Sequence, residues 1–212
     1  MKTKLKPPPE KNADQRAERR SKILAAAAKL FAAHGYSACD MERIAAKLKI
    51  AKGTIYLYFQ SKEELFRACI AEAMTQMQAE VRAASESEPE PLQQLTLAIR
   101  AYLDFFANHP EYVELFVQER AVLKNRQRPT YFEHRDAGRV YWRRFYQRLI
   151  DDGRLRPDFK VESILNTIGN LCFGTMFANH FLGTPRDSEA QCQEMLDIVL
   201  KGLLSDEERA KD

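Results

Sequence analysis

Residues 35–64 read GYSACDMERIAAKLKIAKGTIYLYFQSKEE, from Gly35 to Glu64, and the spacing of their apolar positions decides the fold. Asp40 precedes a short stripe of Met41, Ile44, Ala45 and Leu48, where a carboxylate can accept from the open N–H groups of a helix start. After a break at Lys49–Ala51, Ile55 and Phe59 stand one turn apart on another short helix. Ser61 to Glu64 then form a capping box: the serine accepts from a backbone N–H while the glutamate reaches back. That box opens a long helix with Leu65, Phe66, Cys69, Ile70, Ala73 and Met77 on one side. Two short helices joined by about four residues, with apolar positions that pack them on a preceding helix, are the minimum helix-turn-helix.

Upstream, the spacing predicts a helix over about 15–33, with Ile23, Leu24, Ala27, Leu30 and Phe31 on one stripe and a left-handed cap at Gly35. Downstream, the polar, proline-broken run SESEPEP at 85–91 reads as a linker. Helices follow over about 92–108, 111–123, 130–150, 161–182 and 187–203, with Asp151-Asp152-Gly153 and Gly183-Thr184-Pro185 as stops. Strand-type alternation is absent, so the chain is expected to be all-α, with about nine helices.

At 212 residues, 45% apolar and 30% charged, the chain can bury a real core. No run of about 18 apolar residues predicts a membrane span, and the first ten residues hold lysines and prolines but no signal-type apolar stretch. The net charge of +3 conceals a split. Residues 1–62 carry 14 Lys and Arg against 5 Asp and Glu, a net of +9, and the remainder carries 19 against 25, a net of −6. A basic front on an acidic body is the layout of a DNA-binding module joined to something else. It also fits a basic arm serving a membrane surface or solubility. Cys39, Cys69, Cys172 and Cys192 form no CxxC pair, and the histidines show no metal spacing, so no metal and no cofactor is expected. The cysteines read as reduced thiols, with a redox sensor as the alternative. No nucleophile elbow, P-loop or dinucleotide fingerprint points to an enzyme.

The helix beginning at Lys52 suits DNA. Its orphan N–H groups can meet phosphate, Gly53 lets the backbone come close, and Tyr56 and Tyr58 offer phenol donors. Lys62 adds charge one turn later, and Lys49 can reach phosphate from the turn. Such contacts set register, while base-edge contacts supply sequence choice.

The run resembles the TetR family of transcriptional regulators, in which a glycine-aromatic pair leads to an Ile-Ala helix, then Lys-Gly-Thr-Leu/Ile-Tyr-x-Tyr/His-Phe and Ser-Lys-Glu. The match holds at Gly35, Tyr36, Ile44, Ala45, Lys52, Gly53, Thr54, Ile55, Tyr56, Tyr58, Phe59, Ser61, Lys62, Glu63 and Leu65. Carried over, Ile44, Ala45, Leu48, Ile55 and Phe59 pack the head. Lys49, Lys52, Gly53, Thr54, Tyr56, Leu57, Tyr58 and Lys62 face DNA, with Leu57 at the variable position that meets the groove. Three positions depart: Cys39 for a common threonine, Lys49 for the glycine of the turn, and Ala51 for the serine cap.

Residues 1–15 read as a disordered basic arm, and the resemblance implies a DNA-binding domain over 16–77 with its motif at 40–59 and a ligand-binding and dimerisation domain over 78–212. It implies a cytoplasmic homodimer, paired through the last two helices, on a near-palindromic double-stranded DNA operator. A small, largely apolar inducer, not identified by any residue pattern, releases a repressor of this kind. Tyr102, Phe105, Phe106, Phe116, Trp142, Phe145, Phe173 and Phe177 are candidate ligand contacts, although a helical core needs such residues anyway. Glu119, Arg120, Asn170 and His180 could orient a ligand. Ile164, Leu165, Ile168, Leu171, Cys172, Thr175 and Met176, with Met195, Leu196, Ile198, Val199 and Leu203, make the apolar stripes of the last two helices. A weakly specific architectural DNA protein is the alternative reading; an enzyme with an accessory helix-turn-helix ranks below it.

Overall fold

A computed structural model describes residues 13–124, 126–183, 187–203, 207 and 210. Among them are nine helices and no strand: α1 (Ala13–Ala38), α2 (Met41–Leu48), α3 (Lys52–Tyr56), α4 (Lys62–Glu86), α5 (Pro91–Asn108), α6 (Pro110–Val122), α7 (Thr130–Asp151), α8 (Val161–Leu182) and α9 (Ser188–Leu203). The fold is all-α, as the apolar spacing predicts. Residues 1–12 of the expected basic arm lie outside the described residues, as do Thr184 and Pro185 of the last stop. Residues 13–15, assigned to the arm from sequence, are helical.

The helices group into two compact units, and the grouping is not a single cut of the chain. One holds the residues up to Met74 together with Glu111–Phe132; the other holds Thr75–Pro110 and the residues from Glu133 onward.

In the first unit, Ile23, Leu24, Ala27 and Phe31 of α1 are buried, along with Ile44, Ile55, Phe59, Leu65, Phe66, Cys69 and Ile70. Gly35 interrupts α1 with φ 78 and ψ 155. That is positive φ but not the left-handed helical region expected from sequence, and it is essentially restricted to glycine. The break turns Tyr36 back onto Phe31 and Phe66, with ring centroids 5.9 and 5.1 Å away. α6 joins this unit through Gln118, whose amide donates to the Phe31 carbonyl at 3.0 Å.

A buried carboxylate ties α6 to the start of α7. Glu119, only 2% exposed, accepts from the Thr130 backbone N–H at 3.1 Å, the Thr130 hydroxyl at 2.5 Å and the Arg126 guanidinium at 3.1 Å. Thr130 opens α7, so the carboxylate satisfies N-terminal donors and complements the positive end of the helix. Glu119 therefore has local partners.

In the second unit, α8 and α9 both pack on α5. Ile164, Ile168, Cys172 and Met176 of α8, and Cys192, Met195 and Leu196 of α9, are buried. The Tyr102 hydroxyl donates to the Met176 sulfur at 3.5 Å. Asn179 and Gln191 exchange amide hydrogen bonds at 2.7 and 3.0 Å, fixing the register of α8 on α9. The apolar stripes predicted as one surface are thus divided. Ile164, Ile168, Cys172, Met176, Met195 and Leu196 fill the core, while Leu171 and Ile198 stay exposed (37% and 77%), as do Phe181 and Leu182. The predicted linker is corrected too: Ser85 and Glu86 belong to α4, and Ser85 is fully buried. The break is shorter, and Glu90 ends it by accepting from Gln93 N–H at 2.7 Å, with Pro91 opening α5.

All four cysteines are buried and free. Burial pushes the Cys172 thiol up to about 12 and the Cys192 thiol to about 11, and it also raises Cys39 and Cys69. The reactive thiolate is correspondingly scarce at neutral pH.

Candidate nucleic-acid interface

The motif is built in three steps. Asp40 caps α2, accepting from Arg43 N–H at 2.7 Å. Lys49 then takes the left-handed conformation (φ 55, ψ 40) that the family gives to glycine. Lys49 N–H bonds the Ala46 carbonyl at 3.1 Å and Ile50 N–H the Ala45 carbonyl at 3.0 Å, the paired bonds of a Schellman stop. They offset a conformational cost of about 1 kcal/mol for a non-glycine residue there. Ala51, the residue before α3, provides no side-chain cap, as its methyl group requires.

α3 is shorter than the apolar spacing suggests. It ends at Tyr56, and Phe59 lies beyond it, although Phe59 N–H still reaches the Ile55 carbonyl at 3.0 Å. Ile55 and Phe59 anchor this element in the core, so the residues between and before them face outward. Lys52 and Tyr56 are exposed, and Gly53, Thr54, Leu57 and Tyr58 are half-buried. Four of the eight candidate DNA contacts thereby lie on α3 and two more, Leu57 and Tyr58, just past its end, with Lys49 exposed at the preceding turn.

Two of the cations have partners that sequence reading missed. Lys52 forms an ion pair with Glu42 of α2 and stands 5.8 Å from the Tyr56 ring centroid. Its pKa is raised, chiefly by the hydrogen bond to Glu42. Lys62 donates to the Tyr36 carbonyl at 2.8 Å, lies 3.5 Å from the Ser37 carbonyl and sits 4.3 Å from the Tyr36 ring centroid. It therefore ties the start of α4 to the end of α1. An ammonium has three donors, so one can still point elsewhere. At the same junction Ser61 accepts from Glu64 N–H at 3.0 Å, while Glu64 reaches Gln60 N–H at 2.7 Å, one residue further back than the usual box.

The aromatic candidates separate. Tyr102, Phe105, Phe106 and Phe145 are buried in the second unit, where Trp142, Phe173 and Phe177 are partly exposed. Phe116 belongs to the first unit and packs edge-on against Tyr131 at 5.2 Å. Arg120 donates to the Arg126 carbonyl, Asn170 accepts from Arg135, and His180 lies against Phe181.

Residues 23–69 match the family described as bacterial regulatory proteins, tetR family, and residues 88–175 match the tetracyclin repressor-like C-terminal domain. The chain belongs to the TetR family. The transcriptional repressor KstR2 of Mycobacterium tuberculosis is 27% identical over 186 residues, which cover 87% of this chain and 92% of that protein. The solved structure of that ketosteroid regulator superposes with a TM-score of 0.64 at 25% identity, covering 89% of this chain and 96% of its own. The fold is also that of the transcriptional regulator FadR of Bacillus subtilis, solved with stearoyl-CoA (TM-score 0.71, 21% identity, 86% and 98% coverage). This TetR-family chain is a helix-turn-helix, DNA-binding transcriptional regulator, and α2–α3 lie within the segment that matches the family. No helix among the described residues is long and apolar enough to cross a membrane.

Proposed function

We propose that the protein is a cytoplasmic homodimeric repressor that binds a near-palindromic operator and is released by a small, largely apolar ligand. The carrying observation is the outward row Lys52, Gly53, Thr54, Tyr56, Leu57 and Tyr58, held over a core anchored by Ile55 and Phe59. Residues 16–77 serve as the DNA-binding domain, and residues 78–212 bind ligand and dimerise. Leu171, Phe181, Leu182 and Ile198, exposed on α8 and α9, support pairing through these two helices. The apolar interior around Tyr102, Phe106 and Phe145 supports an apolar effector, in keeping with the ketosteroid named for the relative. Reciprocity requires DNA to weaken ligand binding by the factor that ligand weakens DNA binding.

Selection from a random duplex pool tests this reading. It should enrich an inverted repeat with half-sites one helical turn or slightly more apart, and the complex should survive excess random DNA. Enrichment of no sequence, with random DNA competing equally, would favour architectural binding instead.

Lys62 has two roles in this scheme, and one variant reads both. Lys62→Ala is expected to lower stability by about 1–2 kcal/mol, since it removes a charge-assisted hydrogen bond and a cation–π contact. It should also weaken all operator variants alike and lower the salt slope by about one unit per half-site. Urea unfolding and salt titrations measure the two effects. Altered base preference would refute the phosphate contact.

A further inference from the structure

The overhang of α1 places an arginine beside the reading element. α1 starts at Ala13, well before its first buried residue, Ile23, and residues 13–22 precede the segment that matches the family. Helical spacing extends the buried stripe of Phe31, Ala27, Leu24 and Ile23 backwards to residues 20 and 16, where the chain has arginine rather than an apolar side chain. The two arginines have different surroundings. The Arg20 guanidinium lies 5.4 Å from the Phe59 ring centroid and pairs with Glu72 of α4 at 3.6 Å. Arg16 lies 5.9 Å from the ring centroid of Tyr58, just past the end of α3. Arg16 is exposed and has no carboxylate partner among the described residues. The nearby Glu18 is paired with Lys22 at 2.5 Å.

We propose that Arg16 is a further DNA contact, a phosphate clamp beside Tyr58 that binds the duplex backbone at the edge of each half-site. A guanidinium resting on an aromatic ring keeps its edge N–H donors available, and a phosphate accepts them in pairs. The ring limits the rotamers of the arginine, so less freedom is lost when phosphate arrives. Arg20 cannot serve in the same way because Glu72 already neutralises it. The inference rests on the helix-turn-helix reading of α2–α3.

The test is a salt titration of operator binding for the full-length protein and three variants. Arg16→Ala should weaken every operator variant alike, roughly three- to tenfold near physiological salt, and lower the salt slope by about one unit per subunit. Arg16→Lys keeps the charge and should keep most of the slope. Arg20→Ala should leave the slope unchanged. Because Arg16 is exposed, Arg16→Ala should melt with the wild type, which separates binding from folding. A wild type that binds its operator, with Arg16→Ala showing the same affinity and slope, overturns the clamp and leaves the α3 reading intact. Altered base preference in Arg16→Ala overturns the phosphate assignment. A wild type that binds no duplex overturns both readings.

Discussion

Replacing both Leu171 and Ile198 with glutamate is expected to yield a folded monomer whose operator affinity is lower by about a hundredfold or more. Neither residue lies in the reading element. Both are exposed in the single chain, at 37% and 77%, so glutamate there meets water in a monomer and should leave α8 and α9 packed on α5. In a dimer joined through these helices, the same carboxylates come together near the two-fold axis. Each unpaired buried charge costs several kcal/mol after relaxation. Without the partner, the second reading head no longer engages as an intramolecular event, and affinity falls to that of one half-site. Sedimentation and a binding titration on one sample check both halves. A variant that stays dimeric with unchanged affinity shows that pairing uses another surface.

Glu119→Ala is expected to lower stability by about 3–5 kcal/mol, because it strands the buried N–H and hydroxyl donors of Thr130. The carboxylate receives the Thr130 backbone N–H, the Thr130 hydroxyl and the Arg126 guanidinium. Its removal also leaves a cavity between α6 and the start of α7. Arg126→Ala should cost much less, since Arg126 is partly exposed (21%) and Thr130 still holds the carboxylate. Chemical unfolding of the two variants measures the asymmetry. Equal losses would mean that the ion pair, rather than the helix-start donors, accounts for the stabilisation.

The residues themselves determined the helices and the helix-turn-helix geometry. Apolar positions three and four apart specify a buried stripe wherever they occur, so α2, α4, α7 and α8 could be placed before any packing was known. Asp40 and Gly183 were equally legible, since caps and stops act within a few residues of chain. The row from Lys52 to Tyr58 followed from the motif alone. Tertiary structure decided which partner each side chain meets. Lys62 looks from sequence like a free cation, yet its ammonium lies against Tyr36, twenty-six positions earlier in the chain. Glu119 reads as a surface group until α6 and α7 enclose it. The stripe of α8 cannot say which of its edges is covered by α5 and which is left open at Leu171. Local signals are set by backbone geometry over one or two turns, whereas burial and ion pairing depend on contacts between distant segments, which only the packed chain defines.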